Sequence, residues 1–162
     1  MTKNWSNTLI VAYSHLPKIV KIIDSRVENR VNSGFQSVHL QRGVTNEQLY
    51  GEILQLIGEK HKMYNLYHIV NDGLDEIKDN CRLLIELRYF RKKTWGEISQ
   101  THGIPMRTLH RRIDEALTRF QKAIAKMGYT EEFLEKEYGS MKYMEILHES
   151  IDKEKFSPSF DN

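Results

Sequence analysis

The chain holds one cysteine, Cys81, among 162 residues. An internal disulfide is excluded, and a disulfide-stapled scaffold with it. Cys81 falls inside an apolar helical pattern, where a free thiol behaves as a small hydrophobe; a reactive thiol is the lesser reading. Only three prolines occur, at 17, 105 and 158, all at places compatible with helix starts or loops. There is no apolar run of about 18 residues, so no membrane-crossing helix and no membrane partner are expected. The opening residues, MTKNWSNTLIVAYSH, lack a signal peptide's apolar core and cleavage site. A reducing, cytoplasmic setting is expected. Internal repeats are also absent, which excludes a solenoid.

Signs of catalysis are missing as well. No glycine-rich phosphate loop follows a strand, and no HExxH motif or cysteine pair is present. His61, His68 and Asp72 could share one helix face, but steps of seven and four are not a usual metal-ligand spacing. Pairs such as Asp75-Glu76 and Glu131-Glu132 read as solvated helix ends. No enzyme, no cofactor and no metal site is expected.

What the chain does have is uneven charge. Residues 1–76 carry eight Lys/Arg and eight Asp/Glu and cancel. Residues 77–128 carry twelve basic and five acidic residues, 12 − 5 = +7. Residues 129–162 carry four basic and nine acidic, 4 − 9 = −5. A basic segment between a neutral and an acidic one suggests that the middle part meets a polyanion.

Helical periodicity covers nearly the whole chain, so the expected fold class is all-α. Leu9, Tyr13, Leu16, Val20, Ile23 and Val27 predict a first helix over about 6–32, with a restart at Pro17 capped by Ser14. Residues 33–44 have two glycines and no helical period, which predicts a loop. Thr45-Asn-Glu-Gln48 matches a capping box. From it runs a heptad seam: Leu49, Ile53, Leu56, Lys60, Met63, Tyr67, Val70, Leu74, Ile77. Two such seams joined by a loop predict an N-terminal helical hairpin; a coiled-coil homodimer is the competing use of the same pattern. A break near Asp79 and a third helix over about 80–91 follow.

Thr94-Trp-Gly-Glu97 is a second capping box. Ile98 faces inward, Ser99 is small, Gly103 can adopt the left-handed conformation that ends a helix, and Ile104 plugs the turn. A longer helix then runs from about Pro105 to Met127. That order is a helix-turn-helix layout. At 100° per residue, Leu109, Ile113, Leu117, Phe120 and Ile124 form a buried stripe. Arg107, His110 and Arg111 fall on the outward face of the first turns, the part that enters a major groove, and are the candidate base-reading residues. Thr108 and Arg112 lie on the flanks. With Arg91, Lys92, Lys93 and Thr94 they are the candidate phosphate contacts. A solvated basic face with no partner is the bland alternative.

Residues 77–127 resemble region 4 of sigma-70-type factors, which reads the promoter −35 element. The resemblance rests on LLIELRYF (83–90), TWGEIS (94–99), HGI (102–104) and RTLHRRIDEAL (107–117). It implies base contacts at Arg107, His110 and Arg111. Pro105-Met106 stands where that family usually has a Ser or Thr cap, and no segment resembles the part that melts the −10 element. In size and order the chain is similar to small phage and prophage transcription activators of the ArpU/RinA type. The expected function is a DNA-binding regulator, with double-stranded DNA and RNA polymerase as partners. The alternative is a DNA-packaging subunit, similar to a small terminase subunit, using its heptads for a ring. A third class is a helical interaction protein without DNA affinity. The acidic tail, 129–162, is expected as two short helices split at Gly139-Ser140, with disorder from about Lys153. It packs on the body, docks a partner, or covers the basic face.

Overall fold

The computed structural model describes residues 4–36 and 45–156. Every element among them is helical. In chain order these are α1 (Trp5–Gln36), α2 (Asn46–Glu76), α3 (Asp79–Ile85) continuing into a π-helical turn (Glu86–Phe90), α4 (Trp95–His102), α5 (Met106–Lys126), α6 (Glu131–Tyr138) and α7 (Lys142–Phe156).

α1 is longer than its sequence pattern predicts. Asn4 caps it, its Oδ1 accepting from the Asn7 amide at 3.3 Å. The helix runs through Pro17 without a restart. Ser14 is not a cap; its hydroxyl donates back to the Val11 carbonyl at 2.6 Å. The physical reason is tertiary. Leu9, Ile10 and Ala12 before the proline and Ile19 and Ile23 after it are buried, and Pro17 itself faces solvent. Packing on both sides outweighs the loss of one backbone hydrogen bond. Ser33–Gln36, expected in a loop, also belong to α1, and residues 37–44 lie outside the described residues.

α2 begins at the Thr45 capping box, with both reciprocal hydrogen bonds made. It lies antiparallel to α1. The Tyr13 hydroxyl donates to Asn71 at 3.0 Å, Lys60 donates to Asp24 at 2.6 Å, and Arg30 meets Glu52 at 3.2 Å. The polar intruder in the seam, Lys60, is therefore paired. Met63, Val70, Leu74 and Ile77 of that seam are buried, but Leu49, Ile53 and Leu56 are only partly covered. The C-terminal half of α2 also buries Leu66, Ile69 and Gly73, which a two-helix seam does not predict. Those residues meet a second layer. At Gly73 an added Cβ would lie 2.6 Å from both Phe120 and Ile124 of α5, so the two helices touch where one has no side chain.

The end of the third helix also differs from the simple expectation. It widens over Glu86–Phe90, with the Arg91 amide bonding to the Glu86 carbonyl at 2.8 Å. The tail forms the expected two helices, and α7 continues to Phe156 where disorder was expected from Lys153; residues 157–162 lie outside the described residues.

The tail packs on the body. Leu134, Tyr138, Met141, Met144 and His148 are buried. The Tyr138 hydroxyl donates to the Lys62 carbonyl at 2.9 Å, and burial, more than the nearby Glu137, raises its pKa. His148 meets Thr8 at 2.9 Å through Nδ1 and sits edge-on to Trp5 at 4.7 Å. α6 and α7 thus lie on α1 and α2, and Arg107, His110 and Arg111 stay exposed. One hydrophobic core, from Trp5 to Met144, joins residues of all three charge segments.

Candidate nucleic-acid interface

Local chemistry shapes the α4–α5 unit. The Thr94 hydroxyl accepts from the Glu97 amide at 3.1 Å, and Glu97 accepts from the Thr94 amide at 3.3 Å. This box starts α4 where Arg91-Lys92-Lys93 ends. Gly103 terminates α4 with φ 63° and ψ 32°. An added Cβ there would meet nothing within 4 Å, so the demand for glycine is conformational, not spatial. The Ile104 amide and the Ser99 hydroxyl then tie the turn shut: the amide donates to the Ser99 carbonyl, and the hydroxyl to the Ile104 carbonyl. Pro105 leads into α5 and provides no side-chain cap.

α5 is strongly two-faced. Leu109, Ile113, Ala116, Leu117, Phe120 and Ile124 are buried. Arg107, His110, Arg111 and Arg112 are exposed, and Thr108 is half-buried. Arg91, Lys92, Lys93 and Thr94 are exposed as well. Among the described residues no salt bridge engages Arg91, Lys92, Lys93, Arg107, Arg111 or Arg112. Their charge is not spent on the carboxylates of the described residues.

An aromatic stack links the two candidate groups. The His110 ring lies on Trp95 with centroids 4.1 Å apart, and the Arg88 guanidinium covers Trp95 at 4.5 Å. Arg88 also donates to the Lys93 carbonyl at 3.1 Å. The turn that carries the cationic triplet is thus tied to the second turn of α5. His110 rests against Trp95 at a tilt of 39° while remaining exposed. Neither Trp95 nor Arg88 was among the residues the sequence singled out for the site. Trp95 lies seven residues after Arg88 and fifteen before His110, with no periodic signal to join the three; the only hint is a tryptophan in the first turn of a well-capped short helix.

Lys92 is held in the left-handed region, φ 52°, at a helix end where glycine is usual. Its charge reaches α1. His15 has its pKa lowered from the ordinary 6.5 by partial burial first, then by Lys92 and Lys18. Lys18 therefore extends the positive field of the triplet, although it belongs to the segment that is neutral as a whole. Toward the other end of α5, Lys78, Arg119, Lys122 and Lys126 border a shallow groove of about 520 Å³ with Glu76 at its edge. The field of α5 is cationic along its length, interrupted by Asp114 and Glu115.

His61 and His68 are exposed on α2, and no group of three His, Cys, Asp or Glu residues that could hold an ion exists among the described residues. Cys81 is half-buried beside the core. No described helix is long and apolar enough to cross a membrane. Comparison with protein-family models, curated proteins and solved structures finds no match to this chain.

Proposed function

We propose that the chain is a sequence-specific, double-stranded DNA-binding transcription regulator of the sigma region 4-like kind, acting in the cytoplasm at promoters together with RNA polymerase, as a phage or prophage activator does. One observation carries the reading: the first turns of α5 expose Arg107, His110 and Arg111, with no salt bridge among the described residues, behind a short capped helix and a glycine turn. In this account α4 and α5 are a helix-turn-helix, α5 enters the major groove, and the α1–α2 hairpin and tail are the scaffold that holds it.

The mechanism is binding. Arg107 and Arg111 hydrogen-bond guanine edges in the groove, and His110, braced by Trp95, reads a neighbouring base. Arg91, Lys92, Lys93, Thr94, Thr108 and Arg112 contact phosphates and fix the register without reading sequence. Releasing the counterions of several phosphates makes affinity fall steeply with salt.

Lys92 separates the two kinds of contact from backbone strain. Lys92→Gly removes a side chain from the left-handed region and is expected to raise stability by about 1 kcal/mol. The same change removes a phosphate contact. It should weaken all duplex sequences alike and lower the salt slope by about one unit. Urea unfolding and fluorescence anisotropy at several salt concentrations measure the two effects. A sequence-dependent loss of affinity would move Lys92 from the phosphate group to the base-reading group.

A further inference from the structure

The first residue of α5 does not match the rest of its exposed face. Met106 is 44% exposed. Every other exposed residue of this helix is polar or charged except Ala125, at the far end. Singly exposed apolar side chains are common on protein surfaces, so position has to carry the meaning. Met106 directly follows Pro105, which leads into α5 without a side-chain cap. Measured from the buried Leu109, Met106 lies at about 60° around the helix and His110 at about 100°, with Arg107 at about 160° and Arg111 at about 200°. Met106 and His110 therefore share one edge of the outward face, on the side where His110 rests against Trp95 of α4. Arg107 and Arg111 share the other. The first two turns present an apolar and aromatic edge beside a doubly cationic one.

We infer that Met106 is a specificity-determining residue that contacts the C5-methyl group of a thymine beside the guanines taken by the arginines. This rests on the DNA-binding role proposed for α5 and names part of the sequence it reads. In the major groove only a T·A pair presents a methyl group. Arginine carries donors and no acceptor, so it selects the O6 and N7 acceptors of guanine and gains nothing from a methyl. Methionine is the complement: unbranched, apolar, polarizable and long enough to reach a base edge from the helix start. A docked protein would call for a contiguous apolar patch. Met106 is instead followed by Arg107 and stands alone as a large apolar side chain on the exposed face of α5, which suits the width of one base edge. Position also sets where the thymine lies. Adjacent Cα atoms are about 3.8 Å apart and successive base pairs about 3.4 Å, so the thymine falls within about two base pairs of the guanine read by Arg107.

The test is competition anisotropy of the full chain on the duplex it selects from a random pool, with each thymine replaced in turn by uracil. Uracil removes the methyl group and keeps every hydrogen-bonding group of the pair. One replacement, close to the guanine whose contact Arg107→Ala abolishes, should weaken the wild type about fourfold, the worth of one methyl group taken out of water. Met106→Ala should lose at least as much on the thymine duplex and be indifferent to uracil at that position. Met106→Leu, still apolar and long, should remain sensitive to it. Both variants should keep the wild-type circular dichroism and melting, because Met106 is exposed. Uracil tolerated at every thymine overturns the assignment and leaves the arginine contacts standing. So does a uracil penalty that persists in Met106→Ala, which reports duplex shape and not a contact. A selected site with no thymine near that guanine overturns it as well. Selection of no duplex at all sinks the DNA-binding reading itself, and this inference with it.

Discussion

Phe120→Ala is expected to cost about 3–5 kcal/mol of folding stability. Phe120 is fully buried on α5 and meets α2 at Gly73, so its ring joins the scaffold to the helix proposed to read DNA. Truncation leaves a cavity between two helices whose backbones are already close, and the site cannot collapse much further. The reciprocal change, Gly73→Ala, should also destabilise, by about 1–3 kcal/mol through overpacking, although alanine is the better helix former by about 1 kcal/mol. In the double mutant the two costs should sum to less than their separate values, because the new methyl group occupies part of the vacated space. Ile124 still limits the rescue, standing at the same 2.6 Å from the added Cβ. Urea unfolding of the four proteins measures the cycle. A loss under about 1 kcal/mol for Phe120→Ala would contradict the packing described for α2 and α5.

Arg111→Ala is expected to behave in the opposite way: no change in stability, and a loss of about 1–3 kcal/mol in affinity at the cognate site. Arg111 is exposed and has no internal salt bridge among the described residues. Its removal leaves the core untouched. If it hydrogen-bonds a guanine edge, the penalty appears at one base pair and nearly vanishes on unrelated duplexes. Competition anisotropy with single-base variants of the site measures this. An equal loss on every sequence would place Arg111 on phosphate and leave base reading to Arg107 and His110.

The parts of this fold that the sequence made legible are those fixed by short-range chemistry. Both capping boxes, at Thr45 and Thr94, form as their spacing predicts. Gly103 takes the left-handed conformation that a tight turn needs. The stripe from Leu109 to Ile124 is buried because a helix places steps of four and three on one side. The split of the tail at Gly139-Ser140 follows from the same local logic.

What escaped depends on contacts distant in sequence. Pro17 is carried inside α1 because residues on both sides pack on other helices, which no local rule reports. Leu66 and Ile69 are buried by a second layer that the heptad pattern of α2 alone does not announce. In the candidate site, the exposure of Arg107, His110 and Arg111 was legible from angle alone. The stack of Arg88, Trp95 and His110 was not, because the three residues lie on a π turn, a short helix and the next helix. Nor was the left-handed Lys92, whose conformation comes from closing a helix one residue wider than usual.

The most direct test of the central claim is selection of duplexes from a random pool by the full-length chain, run beside an Arg107→Ala/Arg111→Ala double mutant of equal stability. The account predicts one enriched motif containing guanine for the wild type, its loss in the double mutant, and residual salt-dependent binding without sequence preference from the cationic triplet. Absence of any enriched motif, together with no salt-dependent affinity for duplex DNA, would contradict it and leave the basic face of α5 as a solvated surface.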